Sequence, residues 1–336
     1  MSGENSPLEE LRRLANGFRV SQAIHVAARL GIADLLADGP REVSELAAAT
    51  ESDERSLYRL LRALAAAGVF REEENRRFSL TPLSDHLRRD APETLYGWAA
   101  FAGLPLVWQA WGDLEHSVRT GENAVRHLHG MDIWEYRARD PVERAAFDLA
   151  MTDVTRGVNR SLLSVYDFGR FATVVDVGGG RGALLTALLE AHPGMRGVLF
   201  DRPEVVDGVA DELDPGVADR LRVIGGDFFD EVPGGGDAYL MKAIIHDWED
   251  AEALRILESC RRAAAPGAAL LVVDRELGTP NGDLDAKLGD LNMLVLPGGR
   301  ERTTDEFAAL FASAGFRFVG ETPSPSGWHV FEGVAE

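Results

Sequence analysis

The spacing of apolar residues separates a helical first half of the chain from a second half in which strands and helices alternate. At the start, Leu8, Leu11, Ala15 and Phe18 recur every three or four positions, which is the spacing of one face of an α-helix. Beyond about residue 170 the pattern changes to short apolar runs, each followed by an amphipathic stretch. We therefore expect a mainly helical N-terminal part and an α/β part.

Residues 41–80 carry the pattern of a winged helix. A short helix is predicted over 43–49, and polar capping residues precede a second helix that ends at Gly68. The apolar stripe of that second helix consists of Leu57, Leu60, Leu61 and Leu64. Two short apolar runs around the polar segment 72–77 predict a β-hairpin. Helix, turn, helix and hairpin in this order are typical of a winged helix.

A winged helix raises the alternative of DNA binding, but the charge pattern argues against it. A recognition helix needs basic or amide side chains at its start, whereas this one begins with Glu51, Asp53 and Glu54. The net charge of the chain is −20, so a phosphate polymer is repelled over most of the surface. We expect no nucleic-acid partner and favour a winged helix used for dimerisation.

The segment 101–168 stays helical in pattern and is rich in large apolar residues. Most of these residues are expected to be core, because large apolar side chains are usually buried. A few, Trp108 and Met151 among them, are expected to line a substrate cavity. The predicted organisation is a helical domain over 1–100, a helical connector over 101–168 and a third domain over 169–336.

The third domain is predicted to be a Rossmann-like, doubly wound parallel sheet of the α/β class, because strands alternate with helices. The strands are predicted at 173–177, 197–201, 221–225, 237–243 and 269–274. The helices between them are predicted at 183–191, 203–212 and 250–264. Two further strands near 316–319 and 328–331 are expected to finish the sheet.

The first of these strands runs into a glycine-rich turn, Val174-Val-Asp-Val-Gly-Gly-Gly-Arg-Gly182. Gly178 and Gly180 can adopt positive φ at little cost and let a ligand approach the backbone closely. Open α/β sheets bind their ligands at the carboxyl ends of the strands, where this turn lies. Asp176 precedes the turn, and its charge would repel a pyrophosphate and favour a cationic group such as an α-ammonium. We therefore expect a nucleotide-like ligand without phosphates.

Two later strand ends indicate which ligand this is. Asp201 ends the second strand about twenty residues after the turn, where a carboxylate can bind both ribose hydroxyls. Asp227 and Phe228 follow the third strand, where they can contact the amino group and the ring of an adenine. S-adenosylmethionine fits this set of contacts.

Two alternatives stay open at this point. The spacing Gly178-x-Gly180-x-x-Ala183 also satisfies the looser fingerprint of nicotinamide and flavin dinucleotides. In addition, Asp201 is suited to capping the helix that follows it, and Asp227 to a plain turn.

Composition excludes several classes of protein. Cys260 is the single cysteine, which excludes an internal disulfide and a cysteine-based zinc site. His127 and His129 flank one residue, but the sequence shows no cluster of ligands beside them, and we expect no metal. No apolar run reaches the roughly 18 residues that span a bilayer, and the start of the chain lacks the pattern of a secretion signal. We expect a cytoplasmic protein without a membrane partner.

Four motifs make the chain similar to a known family. They are Asp176-Val-Gly-Gly-Gly-Arg-Gly182, Gly226-Asp-Phe-Phe229, Met241-Lys-Ala-Ile-Ile-His-Asp-Trp248 and Gly298-Gly-Arg-Glu-Arg-Thr303. In combination they resemble class I S-adenosylmethionine-dependent O-methyltransferases, in the branch of plant caffeate-type and bacterial antibiotic-tailoring enzymes. The resemblance covers nearly the whole chain. It implies a homodimer formed through the N-terminal domain and a metal-independent reaction.

The resemblance also implies roles for individual residues in the cofactor site. The turn that begins at Gly178 would hold the methionine part of the cofactor, and Asp201 would bind its ribose. Asp227 and Phe228 would contact the adenine, and Lys242 matches a further position that touches the cofactor.

In the catalytic site, the resemblance implies a base and two supporting carboxylates. His246 matches the base, and Asp274 and Glu301 match the supporting carboxylates. Asp274 departs from the plant enzymes, which carry glutamate there, and a shorter side chain reaches the imidazole less directly. Met293 matches a methionine near the bound substrate ring. Without the resemblance, a capping or packing histidine at the start of a helix is a serious competing explanation for His246.

The chemistry gives a reason for this group. A phenol has a pKa of roughly 10 and attacks far better as phenolate, so a histidine base suits the reaction. The predicted function is methylation of a phenolic hydroxyl on an aromatic small molecule, expected to be a secondary metabolite. One alternative is an enzyme that keeps the cofactor but catalyses a non-methylating tailoring reaction, and retention of His246 argues against it. Another is a winged-helix regulator with an inactive methyltransferase domain.

Overall fold

The computed structural model describes residues 6–336, apart from the side chain of Glu212. These residues form two compact units. The first consists of the chain up to Trp108 together with Asp140–Val154, and the second of Gln109–Arg139 together with Thr155–Glu336. The predicted domain bounds near residues 100 and 168 stay a prediction. None of the described helices is both long enough and apolar enough to cross a membrane.

The first unit contains the predicted winged helix. The elements of the unit up to residue 102 are α1 (Pro7–Ala15), α2 (Gly17–Arg29), α3 (Ile32–Leu35), β1 (Arg41–Glu42), α4 (Val43–Ala49), α5 (Glu54–Ala66), β2 (Phe70–Glu73), β3 (Arg77–Leu80), α6 (Pro82–Asp85) and α7 (Tyr96–Ala102). Helix α4 and the β2–β3 hairpin confirm the prediction. Strand β1, which pairs antiparallel with β3, is an addition to it, because its two polar residues give no apolar pattern.

Helix α5 shows how this part of the sequence folds locally. Asp53 caps the helix by accepting a hydrogen bond from the Ser56 amide over 2.8 Å. Leu57, Leu61 and Leu64 are buried in the core of the unit. The apolar stripe read from the sequence is therefore the face that packs on the core.

Five helices follow in the middle of the chain. They are α8 (Pro105–Gly112), α9 (Leu114–Thr120), α10 (Ala124–His129), α11 (Ile133–Arg139) and α12 (Pro141–Val165). Gly121 and Gly130 end α9 and α10 with φ of +77° and +68°, the left-handed conformation that glycine adopts most readily at helix ends. The helical pattern predicted for 101–168 is confirmed, as several short helices and one of 25 residues.

The second unit is built on a seven-stranded sheet. Its strands are β4 (Thr173–Val177), β5 (Arg196–Asp201), β6 (Leu221–Gly225), β7 (Ala238–Lys242), β8 (Ala269–Arg275), β9 (Phe316–Pro323) and β10 (Trp328–Ala335). Its helices are α13 (Ala183–Ala191), α14 (Pro203–Val206), α15 (Val209–Glu212), α16 (Pro215–Ala218), α17 (Asp250–Ala263), α18 (Leu284–Val295) and α19 (Thr304–Ser313). The strands lie in the order β6-β5-β4-β7-β8-β10-β9, so the winding direction reverses between β4 and β7, where such sheets bind ligands.

The sheet is mixed, and the direction of its last two strands is what the structure adds to the prediction. Five strands, β4 to β8, run parallel as predicted, but β10 pairs antiparallel with both β8 and β9. Strands joined by a short turn run antiparallel, and an apolar pattern does not reveal this direction. The helix predicted over 203–212 is also divided in two, because Gly208 has a φ of +72°.

The parallel strands bring four charged residues to one edge of the sheet. Asp176 is in β4, Asp201 ends β5, Lys242 ends β7 and Asp274 is in β8. Strands β4, β7 and β8 are buried along almost their whole length, as is typical of parallel strands covered on both faces. Charges at this edge are therefore partly or fully shielded from water, which strengthens their interactions.

Candidate functional site

The glycine turn after β4 is tied to the end of β5 by hydrogen bonds. The Gly178 amide donates to the Phe200 carbonyl over 2.7 Å, and the Gly180 amide donates to Oδ2 of Asp201 over 2.8 Å. The φ angles are +71° at Gly178 and +59° at Gly180, which residues with a side chain adopt only with strain. The turn therefore presents backbone to any ligand that lies on it.

Asp176 is a buried carboxylate beside this turn. It is 2% exposed, its Oδ2 has no hydrogen-bond partner among the described residues, and a Cβ at Gly179 would lie 2.5 Å from that oxygen. Burial raises the pKa of Asp176 to about 7, against the lowering effect of Lys242. A cationic donor group of a ligand would offset the cost of burying this carboxylate.

Asp201 and Asp227, the two other acids predicted to bind the cofactor, accept hydrogen bonds from nearby backbone amides. Asp201 does not cap α14. Its carboxylate instead accepts hydrogen bonds from the Gly180 and Arg202 amides over 2.8 and 2.7 Å. Asp227 is exposed, and its Oδ1 accepts a hydrogen bond from the Phe229 amide over 2.8 Å. Asp201 is thus fixed against the glycine turn, whereas Asp227 stabilises a turn of its own.

Two side chains pack directly on the glycine turn. A Cβ at Gly178 would lie 2.5 Å from Cδ1 of Ile244 and 3.5 Å from the ring of Phe228. The Phe228 ring meets Trp248 edge to face, with ring centroids 6.1 Å apart. Ile244 and Trp248 flank His246 in the sequence, so the segment that carries this histidine lies against the glycine turn.

His246 lies in a 3₁₀ turn, Ile245–Asp247, that follows β7. The chain enters this turn through Ala243, whose φ of +56° is uncommon for a residue with a side chain. His246 is 7% exposed. Its Nδ1 lies 2.9 Å from Oε1 of Glu301 and 3.9 Å from Oδ1 of Asp274. The structure therefore brings together the three residues predicted to form the catalytic group.

The charges around His246 stabilise its protonated form. Burial lowers the pKa of the imidazole, but the carboxylates of Glu301 and Asp274 outweigh burial and raise this pKa to about 10. Burial raises the pKa of Asp274, and both oxygens of its carboxylate lack hydrogen-bond partners among the described residues. The acids around His246 therefore favour its imidazolium form.

Asp247 is a further acid of the site, and its place in the sequence does not reveal this. Its Oδ1 lies 3.7 Å from Nε2 of His246, the ring nitrogen that Glu301 does not engage. Burial raises the pKa of Asp247 to about 6, while His246 and Arg137 lower it. The signal in the sequence is its place directly after His246, but an acid just before a helix is usually a capping residue.

Glu301 reaches His246 because glycines let its loop lie against the histidine backbone. A Cβ at Gly299 would lie 2.2 Å from the His246 carbonyl oxygen, and Gly298 has a φ of +92°. From the other side, Oδ1 of Asp290 accepts a hydrogen bond from the Glu301 amide over 2.9 Å. The paired glycines of this motif are therefore a packing requirement for the contact between Glu301 and the imidazole.

Lys242 lies between the acid beside the glycine turn and the acids around the histidine. Burial lowers the pKa of its ammonium to about 8, and Asp176, Asp274 and Asp247 oppose this shift. The ammonium also lies over the ring of Trp328, 5.0 Å from the ring centroid. Lys242 therefore couples the charges of the two groups.

The residues predicted to line a substrate cavity are distributed over both units. Trp108 in α8 and Met151 in α12 belong to the first unit and are half buried. Met293 in α18 belongs to the second unit and is buried, and its carbonyl accepts a hydrogen bond from the Gly298 amide over 2.8 Å. Met293 thereby contacts the loop that carries Glu301. The lining role of all three residues stays a prediction.

His127 has neighbours that the sequence does not reveal, and they come from around α9. Asp113, His116 and His127 offer ligand atoms within 4.8 Å of one another. The two imidazoles stack with centroids 3.6 Å apart and planes at 6°. Each is hydrogen-bonded to a carboxylate, His127 to Asp113 and His116 to Glu122. The lone pairs of the ring nitrogens lie in the ring planes, so two stacked imidazoles do not point them at one metal ion. The expectation that the protein holds no metal stays a prediction.

Five parallel strands, with a glycine turn where the winding direction reverses and acids at the neighbouring strand ends, are the arrangement of a nucleoside-binding α/β enzyme. Comparison with known families identifies which one. The O-methyltransferase domain matches residues 111–317, and the O-methyltransferase dimerisation domain matches residues 12–90. The chain belongs to the O-methyltransferase family, whose cofactor is S-adenosylmethionine.

Individual relatives agree with this assignment. The chain is 42% identical to a phenazine O-methyltransferase of Lysobacter antibioticus, over 96% of this chain and 94% of that protein. It is 40% identical to an 8-amino-8-demethylriboflavin N,N-dimethyltransferase of Streptomyces davaonensis, over 98% and 96% of the two chains. A solved O-methyltransferase from neocarzinostatin biosynthesis, in complex with S-adenosylmethionine and 2-hydroxy-5-methyl naphthoic acid, is 34% identical, with a TM-score of 0.81 over 99% and 100% of the two chains.

Proposed function

We propose that this enzyme methylates a hydroxyl group of an aromatic small molecule and that His246 is its general base. The observation that carries this proposal is the buried pair of His246 and Glu301, whose Nδ1 and Oε1 atoms are 2.9 Å apart. The segment that holds the histidine packs on the glycine turn through Ile244. A base in this place stands next to the expected position of the methyl donor.

We assign the cofactor to the strand ends around the glycine turn. Asp176 would face its ammonium group, and Asp201 would bind its ribose. Asp227 and Phe228 would contact the adenine, and Lys242 would complete the site. The unpartnered Oδ2 of Asp176 and the ring of Phe228 beside the turn support this assignment. When bound, S-adenosylmethionine supplies a methyl group activated by its sulfonium.

The part of the protein in the reaction is to hold and move one proton. A phenol has a pKa of roughly 10, so its hydroxyl must lose the proton during the step. Nε2 of His246, which Glu301 does not engage, is the atom that accepts it. Glu301 keeps the other ring proton on Nδ1 and stabilises the imidazolium that forms. Asp274 adds to this stabilisation from 3.9 Å.

The raised pKa of His246 sets a condition for this step. With a pKa of about 10, most of the imidazole is protonated at neutral pH, and only the deprotonated fraction can act as a base. The reacting state therefore contains one proton fewer, shared between the imidazole and the acceptor hydroxyl. Because the pKa of a phenol is also roughly 10, the remaining proton can move from the hydroxyl to Nε2 of His246 at little cost in free energy. Formation of this state releases one proton to solvent.

Nitrogen acceptors are a second candidate, because a relative at 40% identity is an N,N-dimethyltransferase. An aromatic amine attacks through a neutral lone pair and needs no base before the transfer, whereas a hydroxyl does. The buried pair of His246 and Glu301 therefore favours an oxygen acceptor. A non-methylating tailoring reaction would not need this pair for the deprotonation of a hydroxyl.

We infer that the acceptor is a planar aromatic secondary metabolite. Two relatives support this inference by name, one acting on a phenazine and one solved with a naphthoic acid. Met293, in the unit that carries His246, would contact its ring, since large apolar side chains suit a flat ring system. The roles of Trp108 and Met151 stay as predicted from the sequence.

We further propose that the enzyme is a homodimer through its N-terminal helices. Residues 12–90 match the dimerisation domain of the family. Helix α1 buries none of its residues among those described, and Leu8, Leu11 and Leu14 are 66%, 65% and 58% exposed. Such an exposed apolar face is expected to pack on a partner, and a dimerisation domain offers a second copy of the chain.

The test is the His246→Ala variant, assayed with labelled S-adenosylmethionine and a panel of hydroxylated aromatics that includes 2-hydroxy-5-methyl naphthoic acid. We expect the wild type to methylate at least one of them and the variant to lose on the order of 10²- to 10⁴-fold in rate. The variant should still bind S-adenosylhomocysteine in calorimetry. His86→Ala, at an exposed histidine, should keep full activity. Full activity of His246→Ala would overturn the assigned base, and label recovered on nitrogen would favour the second candidate.

A further inference from the structure

Arg302 is a second buried residue of the loop that carries Glu301. It is 1% exposed, and its guanidinium donates hydrogen bonds to three backbone carbonyls and a carboxylate. Nη1 donates to the carbonyls of Ile245 and Arg300 over 3.0 and 3.3 Å. Nη2 donates to the Trp248 carbonyl over 2.9 Å. Nε and Nη2 both donate to Oδ1 of Asp250, over 3.0 and 2.7 Å.

Two of the three carbonyls that Arg302 binds lie on either side of His246. One belongs to the residue before the histidine and the other to Trp248, two positions after it, so the guanidinium spans the 3₁₀ turn. Asp250 begins α17, so the same group also joins the turn to that helix. The main chain of Arg302 is fixed as well, because its carbonyl accepts a hydrogen bond from the Leu277 amide over 3.3 Å.

We propose, resting on the proposed role of His246, that Arg302 is a positioning residue that fixes the backbone of this turn so that Nδ1 of the imidazole meets Glu301. Its planar fork of five N–H donors binds the two carbonyls beside His246, the Arg300 carbonyl and a carboxylate at once. A lysine has three donors on one atom and cannot span the same groups. Glu301 is the residue before Arg302. One short loop therefore provides the hydrogen-bond partner of the imidazole and also fixes the backbone on either side of His246.

The Arg302→Lys variant tests this proposal, because it keeps the charge and removes the fork. We expect kcat to fall on the order of 10²-fold, as is typical for a misplaced catalytic group, with KM for S-adenosylmethionine nearly unchanged. Nitrogen-15 NMR of the full-length protein should show the imidazole pKa of His246 reduced by about one unit or more, because the contact with Glu301 loosens. A purely structural arginine would lower stability without moving this pKa.

Arg300→Lys is the matched control. Arg300 is in the same loop and forms ion pairs with Asp250 and Glu306, but its side chain touches neither carbonyl beside His246. We expect this variant to keep the wild-type kcat and the wild-type pKa of His246.

The outcomes separate this proposal from the proposed function. An unchanged pKa of His246 in a folded Arg302→Lys protein would overturn the proposal, whatever its kcat. If that variant does not fold, Asp250→Asn weakens the same guanidinium contact at an exposed side chain. It should then produce a smaller shift in the same direction, and no shift would overturn the proposal. Absence of methyl transfer in the wild type would count against the proposed function and would leave the NMR test valid.

Discussion

The imidazole of His246 is hydrogen-bonded to Glu301. Nδ1 lies 2.9 Å from Oε1 of Glu301, whereas the nearest oxygen of Asp274 is 3.9 Å away. Both acids raise the pKa of the ring, but only Glu301 also fixes its orientation. The two carboxylates are therefore expected to contribute unequally to the reaction.

Replacing the two acids separately measures this inequality. Glu301→Gln should slow methyl transfer on the order of 10²-fold, because a neutral amide stabilises the imidazolium poorly. Asp274→Asn should cost about tenfold or less, since it removes a charge but no hydrogen bond to the ring. Rates for one acceptor, with calorimetry to verify cofactor binding, check this order. A larger loss for Asp274→Asn would contradict the assignment of Glu301 as the orienting partner.

The pH dependence of kcat/KM should report the raised pKa of His246. This parameter follows ionisations of the free enzyme, and the reacting state has lost one proton. With a pKa of about 10 at His246, kcat/KM should rise about tenfold per pH unit between about pH 7 and 9. In Glu301→Gln the rise should level off at lower pH, because the carboxylate that raises the pKa is gone. A wild-type plateau from neutral pH upward would show that the imidazole is not held as an imidazolium.

Cofactor binding should release protons. Burial raises the pKa of Asp176 to about 7, with Lys242 lowering and Asp201 raising it. A positive charge brought next to the carboxylate lowers that pKa again, so a bound proton leaves. Near pH 6.5 most of Asp176 is protonated, while the ammonium of the cofactor, with an ordinary pKa of roughly 8, is already charged.

Calorimetry with S-adenosylmethionine in buffers of different ionisation enthalpy measures this release. Asp176→Asn should bind the cofactor more weakly and lose most of the proton release. If the wild type takes up protons, or if the variant releases as many, Asp176 does not face a cationic group of the cofactor.

The close contact of Gly299 predicts a selective loss of activity. A Cβ there would lie 2.2 Å from the His246 carbonyl oxygen, so Gly299→Ala must push the loop of Glu301 away from the histidine. We expect a destabilisation of about 1–3 kcal/mol and a loss of kcat similar to that of Glu301→Gln. Gly194→Ala, where a Cβ would meet no atom within 4 Å, is the control and should behave like the wild type in thermal unfolding and in rate.

The exposed face of α1 predicts how the dimer can be separated. The double variant Leu11→Lys/Leu14→Lys places charges in a face expected to be apolar and buried in the dimer, so light scattering should give the mass of one chain, 36.5 kDa, instead of two. Val319→Lys, at an exposed apolar residue of β9, should leave the dimer intact. A monomeric wild-type protein would refute the proposed homodimer.

Most of the sheet could be predicted because each of its parallel strands is marked by a short run of apolar residues. Strand β4 and helix α13 have the predicted bounds, since an unbroken apolar run, a glycine turn and an amphipathic run follow one another. The direction of β10 and the interruption at Gly208 could not be predicted in the same way. Strand direction depends on pairing over long distances in the sequence, and a single glycine is also tolerated within a helix.

The site could be predicted as a set of residues but not as an arrangement. His246 and Glu301 are 55 positions apart, and which acid binds the ring depends on the path of the loop and on side-chain length. Arg302 gives no signal of its own, because charged residues are mostly exposed and only the structure shows that this one is buried. Asp247 could not be assigned to the site for a similar reason, because an acid before a helix is usually a capping residue.

Strand β10 lies between β8 and β9, although it follows both in the chain. During synthesis on the ribosome, β8 and β9 therefore emerge as open edges, and they stay open until residues 328–335 have left the exit tunnel. Unpaired edges promote aggregation, and incomplete sheets are what chaperones protect. Strand β8, which contains Asp274, gains its second neighbouring strand only when β10 pairs with it. A chain truncated before Trp328 should therefore give little soluble protein, because the open strand edges promote aggregation. Its loss of catalysis would be a secondary effect.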